Sequence, residues 1–486
     1  MLGLTTYQWK MIIAVVVVMM ASRYAVHWVY FKMLRIAKGK NIVDNPEARK
    51  LQKTPIPVMG GIAVFFGLLV GILTSTALPF SFPVYTSLFP ILAAMGLMLY
   101  IGAMDDIVGL TARSRLVIEI LTILGLICAS DGCIDTLRGL WGVQQFTWWI
   151  GVPLTVITGV GLINAVNMID GVNGLSSGLC IFCGLTFGIL FLRSGDMPNA
   201  YLAFSMAASL FPFFIHNVFG LRSRMFIGDA GTMVMGVMLT WFVMCILRSD
   251  SHITYYAAAK GVNLIALSLA IMSVPVFDTL RVMTMRILKG LNPFSPDKTH
   301  LHHVFVIIGV SHSITALTEI LIACVIVAVW AIADKSRASY DMQLYIVIIA
   351  SVILVWGIYF FLRHHIMRHT NFLHRLTHFS VATHLGRTDW WKRVTAWLDA
   401  PEDIVSKEED EAHAEHMTRK YEHDTAYEQS RKKVVGFLRS RAEAVVNDVR
   451  EYSGADGTPL TRLSRRASPT GKSPSRDTTR KEIPTS

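Results

Sequence analysis

Apolar residues along this chain gather into long unbroken runs rather than alternating with polar ones. The runs cover Met11–Phe31, Gly60–Phe80, Leu116–Ala129, Ile150–Val166, Gly178–Leu192, Val234–Leu247, Val262–Phe277, Ile314–Ala333 and Tyr345–Leu362. Most approach the ~20 residues that a helix needs to cross a bilayer. Shorter runs at Ser87–Ala103 and Ala200–Phe214 bring the expectation to about eleven spans. In lipid each backbone N–H and C=O must be satisfied within its own segment, so runs of this length predict helices and an all-α polytopic membrane domain over 1–363. The first run lacks a basic leader and an evident small-residue cleavage site, and it reads as a retained helix rather than a signal peptide.

The pattern changes after Leu362. Residues 364–400 mix Arg, Lys and His with Phe372, Leu376, Phe379, Trp390, Trp391 and Trp397, as expected of an amphipathic segment on an anionic membrane surface. Residues 401–450 are rich in Glu, Ala, Lys and Arg and predict a charged helical segment. Residues 451–486, rich in Ser, Thr, Pro, Gly and Arg, predict a disordered tail. The irregular spacing of His364, His365, His369 and His374 favours solvated histidines over a metal site.

Composition agrees with the pattern: of 486 residues, 53% are hydrophobic and only 16% charged, too few polar groups to cover a soluble globule. The net charge of +11 could suggest a nucleic-acid partner, but its placement points to no nucleic acid and to the lipid bilayer instead. Arg35, Lys38, Lys40, Arg49, Lys50 and Lys53 crowd the first connection, and the next, Ser81–Thr86, carries no charge. The positive-inside rule then places the N-terminus outside, and alternation makes the C-terminus and its tail cytoplasmic. Five of the six cysteines lie in or beside apolar runs and read as small buried hydrophobes. A Cys128–Cys133 bridge is conceivable, but no disulfide framework is implied.

Charge near a bilayer is costly, so its distribution carries information. Asp105 and Asp106 end the third expected span, Asp170 the fifth, and Asp229 opens the eighth. The next inner loop is read as carrying Asp278, Arg286, Asp297, Lys298 and His300-Leu301-His302-His303. All fall on one side of the membrane, where a water-soluble substrate could meet a lipid head group. The Asp105–Asp106 pair can gather a divalent cation or raise one carboxyl toward base work, although two solvated loop aspartates would look the same. Asn164, Asn167 and Asp170 recur every third residue and put oxygen donors on one helix face, with helix capping as the alternative. Asp229, between Gly228 and Ala230-Gly231, suits a phosphate and its Mg²⁺ at a helix amino terminus, or a simple N-cap. The histidines could bind zinc, but the neighbouring acids and amides are hard donors that favour Mg²⁺.

Together these segments resemble the polyprenyl-phosphate N-acetylhexosamine-1-phosphate transferases, the membrane family that includes MraY, WecA and TagO. Asp44-Asn45-Pro46-Glu47-Ala48-Arg49-Lys50 and Pro57-Val58-Met59-Gly60-Gly61 are similar to its first cytoplasmic motif. The aspartate pair, the segment from Asn164 to Gly174 and the Gly228–Gly231 turn follow in order. The run from Pro293 to His303 is similar to the WecA/TagO branch. The resemblance implies an MraY-like fold in a bacterial inner membrane, with the active site on the cytoplasmic face. It implies transfer of N-acetylhexosamine-1-phosphate, foremost GlcNAc-1-phosphate, from a UDP-N-acetylhexosamine to undecaprenyl phosphate with release of UMP, a first membrane step of cell-surface polysaccharide synthesis. By motif, Asn167 and Asp229 would ligate Mg²⁺ (or Mn²⁺), and Asp105, Asp106 and Asp170 would be catalytic, the pair at the acceptor phosphate. Lys53, Asn164, Arg286, His300, His302 and His303 would bind substrate. A homodimer is left open. Gln52 stands where many relatives carry His, and Asn173 where many carry a second Asp. An MraY-like phospho-MurNAc-pentapeptide transferase would share this core. A secondary transporter would instead show Gly- or Pro-broken spans near mid-membrane.

Overall fold

The long apolar runs form helices whose ends are set by local chemistry. The computed structural model describes residues 5–44, 54–78, 85–292, 299–368, 372, 375–376, 386 and 388–400. Helix α1 (Thr6–Gly39) opens at Thr5, whose hydroxyl accepts from the Gln8 N–H while the Gln8 side chain accepts from the Thr5 N–H, a reciprocal cap. A short antiparallel pair, β1 (Val43–Asp44) with β2 (Ile56–Pro57), follows. Then come α2 (Gly60–Ala77), α3 (Phe89–Val108), α4 (Ala112–Ser130), α5 (Trp148–Met168), α6 (Leu175–Ser194), α7 (Met197–Phe219) and α8 (Gly228–Ile246).

Among the described residues nine helices are long and apolar enough to cross a membrane, and a tenth span results if one bent pair is counted. That pair is α9 (His252–Lys260) and α10 (Leu264–Ile271), which meet at 110°. The expected span Val262–Phe277 is not one helix. It breaks at Met272, after which α11 runs from Ser273 to Leu288. Pro275 lies in the first turn of α11 and cannot donate back to the turn before it. A further correction concerns Asp278, read from sequence as a loop residue: it lies buried within α11. The fold closes with α12 (Leu301–Ile307), α13 (His312–Lys335), α14 (Tyr340–Ser351), a π-helical turn Val352–Gly357, α15 (Ile358–Arg368) and α16 (Asp389–Asp399).

Large apolar side chains such as Leu73, Tyr100, Leu121, Ile157, Leu321 and Ile349 face outward, the surface that lipid and not water would cover. Inside, one core joins α1 to α8 and reaches into α9 and α10, and a second gathers side chains of α10 to α15 with Leu175 and Leu179 of α6. Helix α8 is the hub: every side chain from Ala230 to Ile246 is buried, and α2, α3 and α5 pack around it. The approach of α3 to α8 depends on Gly102, where a Cβ would collide with the backbone of Asp229 and Ala230. Close packing of backbones through small residues is how helices associate in lipid, where no hydrophobic force drives them together. All six cysteines are free thiols, so the conceivable Cys128–Cys133 bridge does not form.

Candidate active site

Four helix ends converge at one place. Asp105 lies in the last turn of α3, Arg115 in the first turn of α4, Asn167 in the last turn of α5 and Asp229 in the first turn of α8. Arg115 joins them. Its Nη1 donates to Asp105 Oδ2 at 2.7 Å and to Asp229 Oδ2 at 3.2 Å, and its Nη2 donates to Asn167 Oδ1 at 3.2 Å. Asn167 Nδ2 donates in turn to Asp229 Oδ1 at 2.6 Å and Thr232 Oγ1 at 2.9 Å. The Asp105 side chain is 7% exposed and that of Asp229 32%, so the cluster opens on the Asp229 side.

Asp106 turns away from its neighbour. It accepts from the Asp229 N–H at 2.9 Å and the Ala230 N–H at 3.2 Å, satisfying amides that the first turn of α8 cannot pair for itself. The chain enters this turn through Gly228 at φ +70°, a conformation that costs an L-residue roughly 1–2 kcal/mol. A Cβ there would also strike the Asp106 carboxylate. The adjacent aspartates, paired in the sequence reading, therefore hold different partners: Asp105 the guanidinium, Asp106 the backbone that carries Asp229.

Asn164 sits one turn deeper, where its Nδ2 donates to Glu119 Oε2 at 2.5 Å and Val160 O at 2.9 Å. Glu119 is buried one turn along α4 from Arg115. Asp170 lies in the loop after α5 and accepts from the Ser176 hydroxyl. The surrounding protein pushes its carboxyl up to about 6, a rise that the Ser176 hydroxyl partly offsets. Asp44, from the first expected motif, is near enough for its charge to raise Asp170 further.

The histidine run is anchored by Asp278. Its Oδ2 pairs with His300 Nδ1 at 2.7 Å, and its Oδ1 accepts from Arg281 Nη2 at 2.7 Å and the Leu301 N–H at 3.1 Å. Arg281 is fully buried, with its guanidinium 3.5 Å from the Tyr359 ring centroid. This scaffold sets His302 against His303, with ring centroids 4.4 Å apart. His302 is buried with neither ring nitrogen hydrogen-bonded, and burial holds it well below the usual histidine range, as the neutral imidazole. It abuts the Asp170 loop, since a Cβ on Gly171 would come within 2.6 Å of His302 Nε2. His303 is half-buried and Arg286 is buried at the end of α11. Lys53, Asp297 and Lys298 lie outside the described residues.

Sequence reasoning missed two groups here, Arg115 and Glu119, and named a third, Asp278, without giving it a role. Arg115 passes for one more positive charge at the inner end of a span. Glu119 is a lone acid inside a run read as apolar. Asp278 is grouped with the histidines as an inner-face charge, but its hold on His300 shows only once it is placed on α11.

Among the described residues no three acidic, histidine or cysteine side chains converge as a closed metal cage. The donors that do converge, two carboxylates and an amide oxygen around a positive charge, are the hard oxygen set of a Mg²⁺ that keeps waters and shares substrate phosphates. Asp105, Asp229 and Asn167 are thus the residues able to hold one.

Apolar helices with apolar exteriors and an acid–amide–arginine cluster where four of them end define a polytopic membrane protein with a polar site at one end of its bundle. A family profile described as glycosyl transferase family 4 matches residues 88–247, which include Asp105, Asp106, Arg115, Asn167 and Asp229. An undecaprenyl-phosphate alpha-N-acetylglucosaminyl 1-phosphate transferase of Yersinia pestis is 31% identical over 284 residues, covering 57% of this chain and 73% of that protein. Proteins of the same name from Escherichia coli O157:H7 and Salmonella typhi are 28% and 27% identical over 306 and 310 residues, covering 62% and 63% of this chain and 79% and 80% of theirs. The chain belongs to glycosyl transferase family 4, in the branch of polyprenyl-phosphate sugar-phosphate transferases that its sequence resembles.

Proposed function

We propose that the protein transfers N-acetylglucosamine-1-phosphate from UDP-N-acetylglucosamine to undecaprenyl phosphate, releasing UMP, at the cytoplasmic face of a bacterial inner membrane. The observation that carries this reading is the shared hold of Asp105, Asn167 and Asp229 on Arg115 at the end of an apolar bundle. Such a place lets a soluble donor diphosphate and a lipid-borne phosphate meet without either leaving its own phase. The names of the relatives supply the acceptor and the sugar phosphate.

An oxygen of the lipid phosphate attacks the β-phosphorus of the donor, and the bond from that phosphorus to the bridging oxygen breaks, so that the oxygen leaves with UMP. A phosphomonoester with a second pKa near ~6 is already mostly dianionic at neutral pH, so no strong general base is needed. The protein's task is to position two anions and offset their charge. Mg²⁺ held by Asp105, Asp229 and Asn167 would supply that neutralisation, and Mn²⁺ is a plausible substitute on the same oxygen donors. Arg115 places a second cation at the same spot. Asp106 sets the Asp229 turn. Asp170 and His302, which meet at Gly171, would face the nucleotide side of the donor with His303 beside them, and Arg286 would be a supporting cation.

The test is UMP release by the full chain in detergent with undecaprenyl phosphate and a panel of UDP-sugars, with and without a chelator. UDP-N-acetylglucosamine should be the best donor, and chelation should abolish release. Preference for UDP-MurNAc-pentapeptide would transfer the reading to the MraY-like alternative. Release that survives chelation would remove the metal.

A further inference from the structure

The loop from α7 to α8 delivers Asp229, and a helix from far along the chain holds it. Helix α16 packs on α7 and starts at Thr388, whose hydroxyl accepts from the Trp391 N–H. Its inner face carries three contacts. The Trp391 ring lies 4.4 Å from that of Phe219, and the Thr395 hydroxyl donates to Phe219 O at 2.8 Å. The Asp399 carboxylate receives the N–H groups of Leu221 and Arg222 at 3.1 Å and of Ser223 at 3.0 Å, together with the Ser223 hydroxyl at 2.6 Å.

Three successive amides that converge on one anion form a nest, and here the anion is a side chain 176 residues further along the chain. Charge-assisted bonds of this kind are about twice as strong as neutral ones. The same loop is gripped from α1, where Tyr30 OH donates to Ser223 O at 2.8 Å and Lys38 Nζ to Arg222 O at 3.0 Å. Beyond Ser223 the path is tied down continuously. Asn217 Nδ2 donates to Met225 O, Phe226 N–H to Pro57 O, Gly60 N–H to Phe226 O and Gly61 N–H to Ile227 O. Gly228 and Asp229 come next.

We propose that Asp399 is a positioning residue for the transfer site: by filling the amide nest of Leu221–Ser223 it fixes the loop that sets Asp229 against Asn167 and Arg115. None of its contacts reaches the reacting groups, so its effect runs through the backbone. A misplacement of about 1 Å in a group that orients reactants can cost about 10²-fold in rate. Removing the carboxylate leaves the three amides of the loop after α7 without their acceptor, while the Ser223 hydroxyl keeps His216 Nδ1 within 3.1 Å, which favours a relaxed loop over a collapsed fold.

The experiment compares the full-length parent with Asp399→Ala, Asp399→Asn and Asp399→Glu in detergent. For its activity arm it rests on the transferase reading above. UMP release is measured across Mg²⁺ concentrations, with and without added acetate, and amide hydrogen exchange is followed over residues 219–231. With Asp399→Ala, kcat should fall by about tenfold or more, half-maximal Mg²⁺ should rise several-fold, and KM for the donor should move by less than about twofold. Acetate should restore part of the lost rate in Asp399→Ala and none in the parent, because it can occupy the vacated nest. Asp399→Glu should recover more than Asp399→Asn, and exchange at Leu221–Ser223 should speed up in the alanine variant. Should alanine prevent folding, the asparagine variant carries the same comparison.

Parent-like turnover and Mg²⁺ dependence in both Asp399→Ala and Asp399→Asn would overturn the inference, as would a rate loss that acetate and glutamate both fail to relieve. If the parent itself releases no UMP, the transferase reading fails instead. Exchange at Leu221–Ser223 then decides for Asp399 alone, and an unchanged rate of exchange overturns its role.

Discussion

Arg115 and a divalent ion would compete for the same oxygens. The guanidinium takes one oxygen of Asp105, one of Asp229 and the amide oxygen of Asn167, so a metal that binds there must displace it or share its ligands. Arg115→Ala would leave two carboxylates facing each other without a counter-charge, at a cost of about 1–3 kcal/mol for a partly exposed pair. We expect a lower melting temperature in the absence of Mg²⁺ and a larger Mg²⁺-induced rise than in the parent, since ligand binding to the folded state stabilises it. Equal rises in the two proteins would end the idea of competition. Asp105 leads to a second expectation. Its Oδ1 accepts from the Leu110 N–H and its Oδ2 from Arg115, so taking up a proton would mean giving up one of these bonds. Asp105→Asn should therefore lower the rate by a factor that stays constant from about pH 6 to about pH 8.5, across the titration of the lipid phosphate. A deficit that shrinks as pH rises would instead give Asp105 the base role.

The packing of α3 on α8 sets the distance between Asp105 and Asp229. Gly102 permits it, because a Cβ would meet the backbone of the next helix, whereas Gly96 on the same helix has open space around its Cα. Gly102→Ala should cost about 1–3 kcal/mol through overpacking and should lower turnover by parting the two acids. Gly96→Ala should leave turnover alone and gain up to about 1 kcal/mol in helix propensity, and thermal melts with rate assays would check both. A Gly102→Ala enzyme with parental stability would mean that α3 can slide. Most of these helices were legible in sequence because apolar runs near 20 residues have no other stable form in lipid. The break at Met272 was not, because an apolar run looks the same whether or not the chain turns within it, and Pro275 was the only sign. At the site, Asp105, Asn167 and Asp229 announced themselves as polar residues at helix ends. Arg115 and Glu119 did not, because their partners lie at Asp229 and Asn164, far away in sequence. The separate duties of Asp105 and Asp106 depend on where α8 begins, which their shared motif does not encode.

At the scale of the whole chain, the described residues that form the site and its supports reach as far as Asp399. The expected helical and disordered tail segments at 401–450 and 451–486 lie outside the described residues. Every contact described for the transfer site, including the hold of Asp399 on Leu221–Ser223, involves residues up to Asp399. Truncation is tolerated where the removed backbone neither covers nor bonds the retained fold. If residues 401–486 take no part in transfer, a chain ending at Ala400 should release UMP in detergent at a rate within about twofold of the full length. A chain ending at Arg387, which lacks α16, should match Asp399→Ala in both rate and Mg²⁺ dependence. The two cuts differ by a single short helix, so the contrast separates the tail from the clamp. Loss of activity at Ala400 would place the tail within the transfer reaction, and full activity at Arg387 would show that α8 keeps Asp229 in place without help from α16.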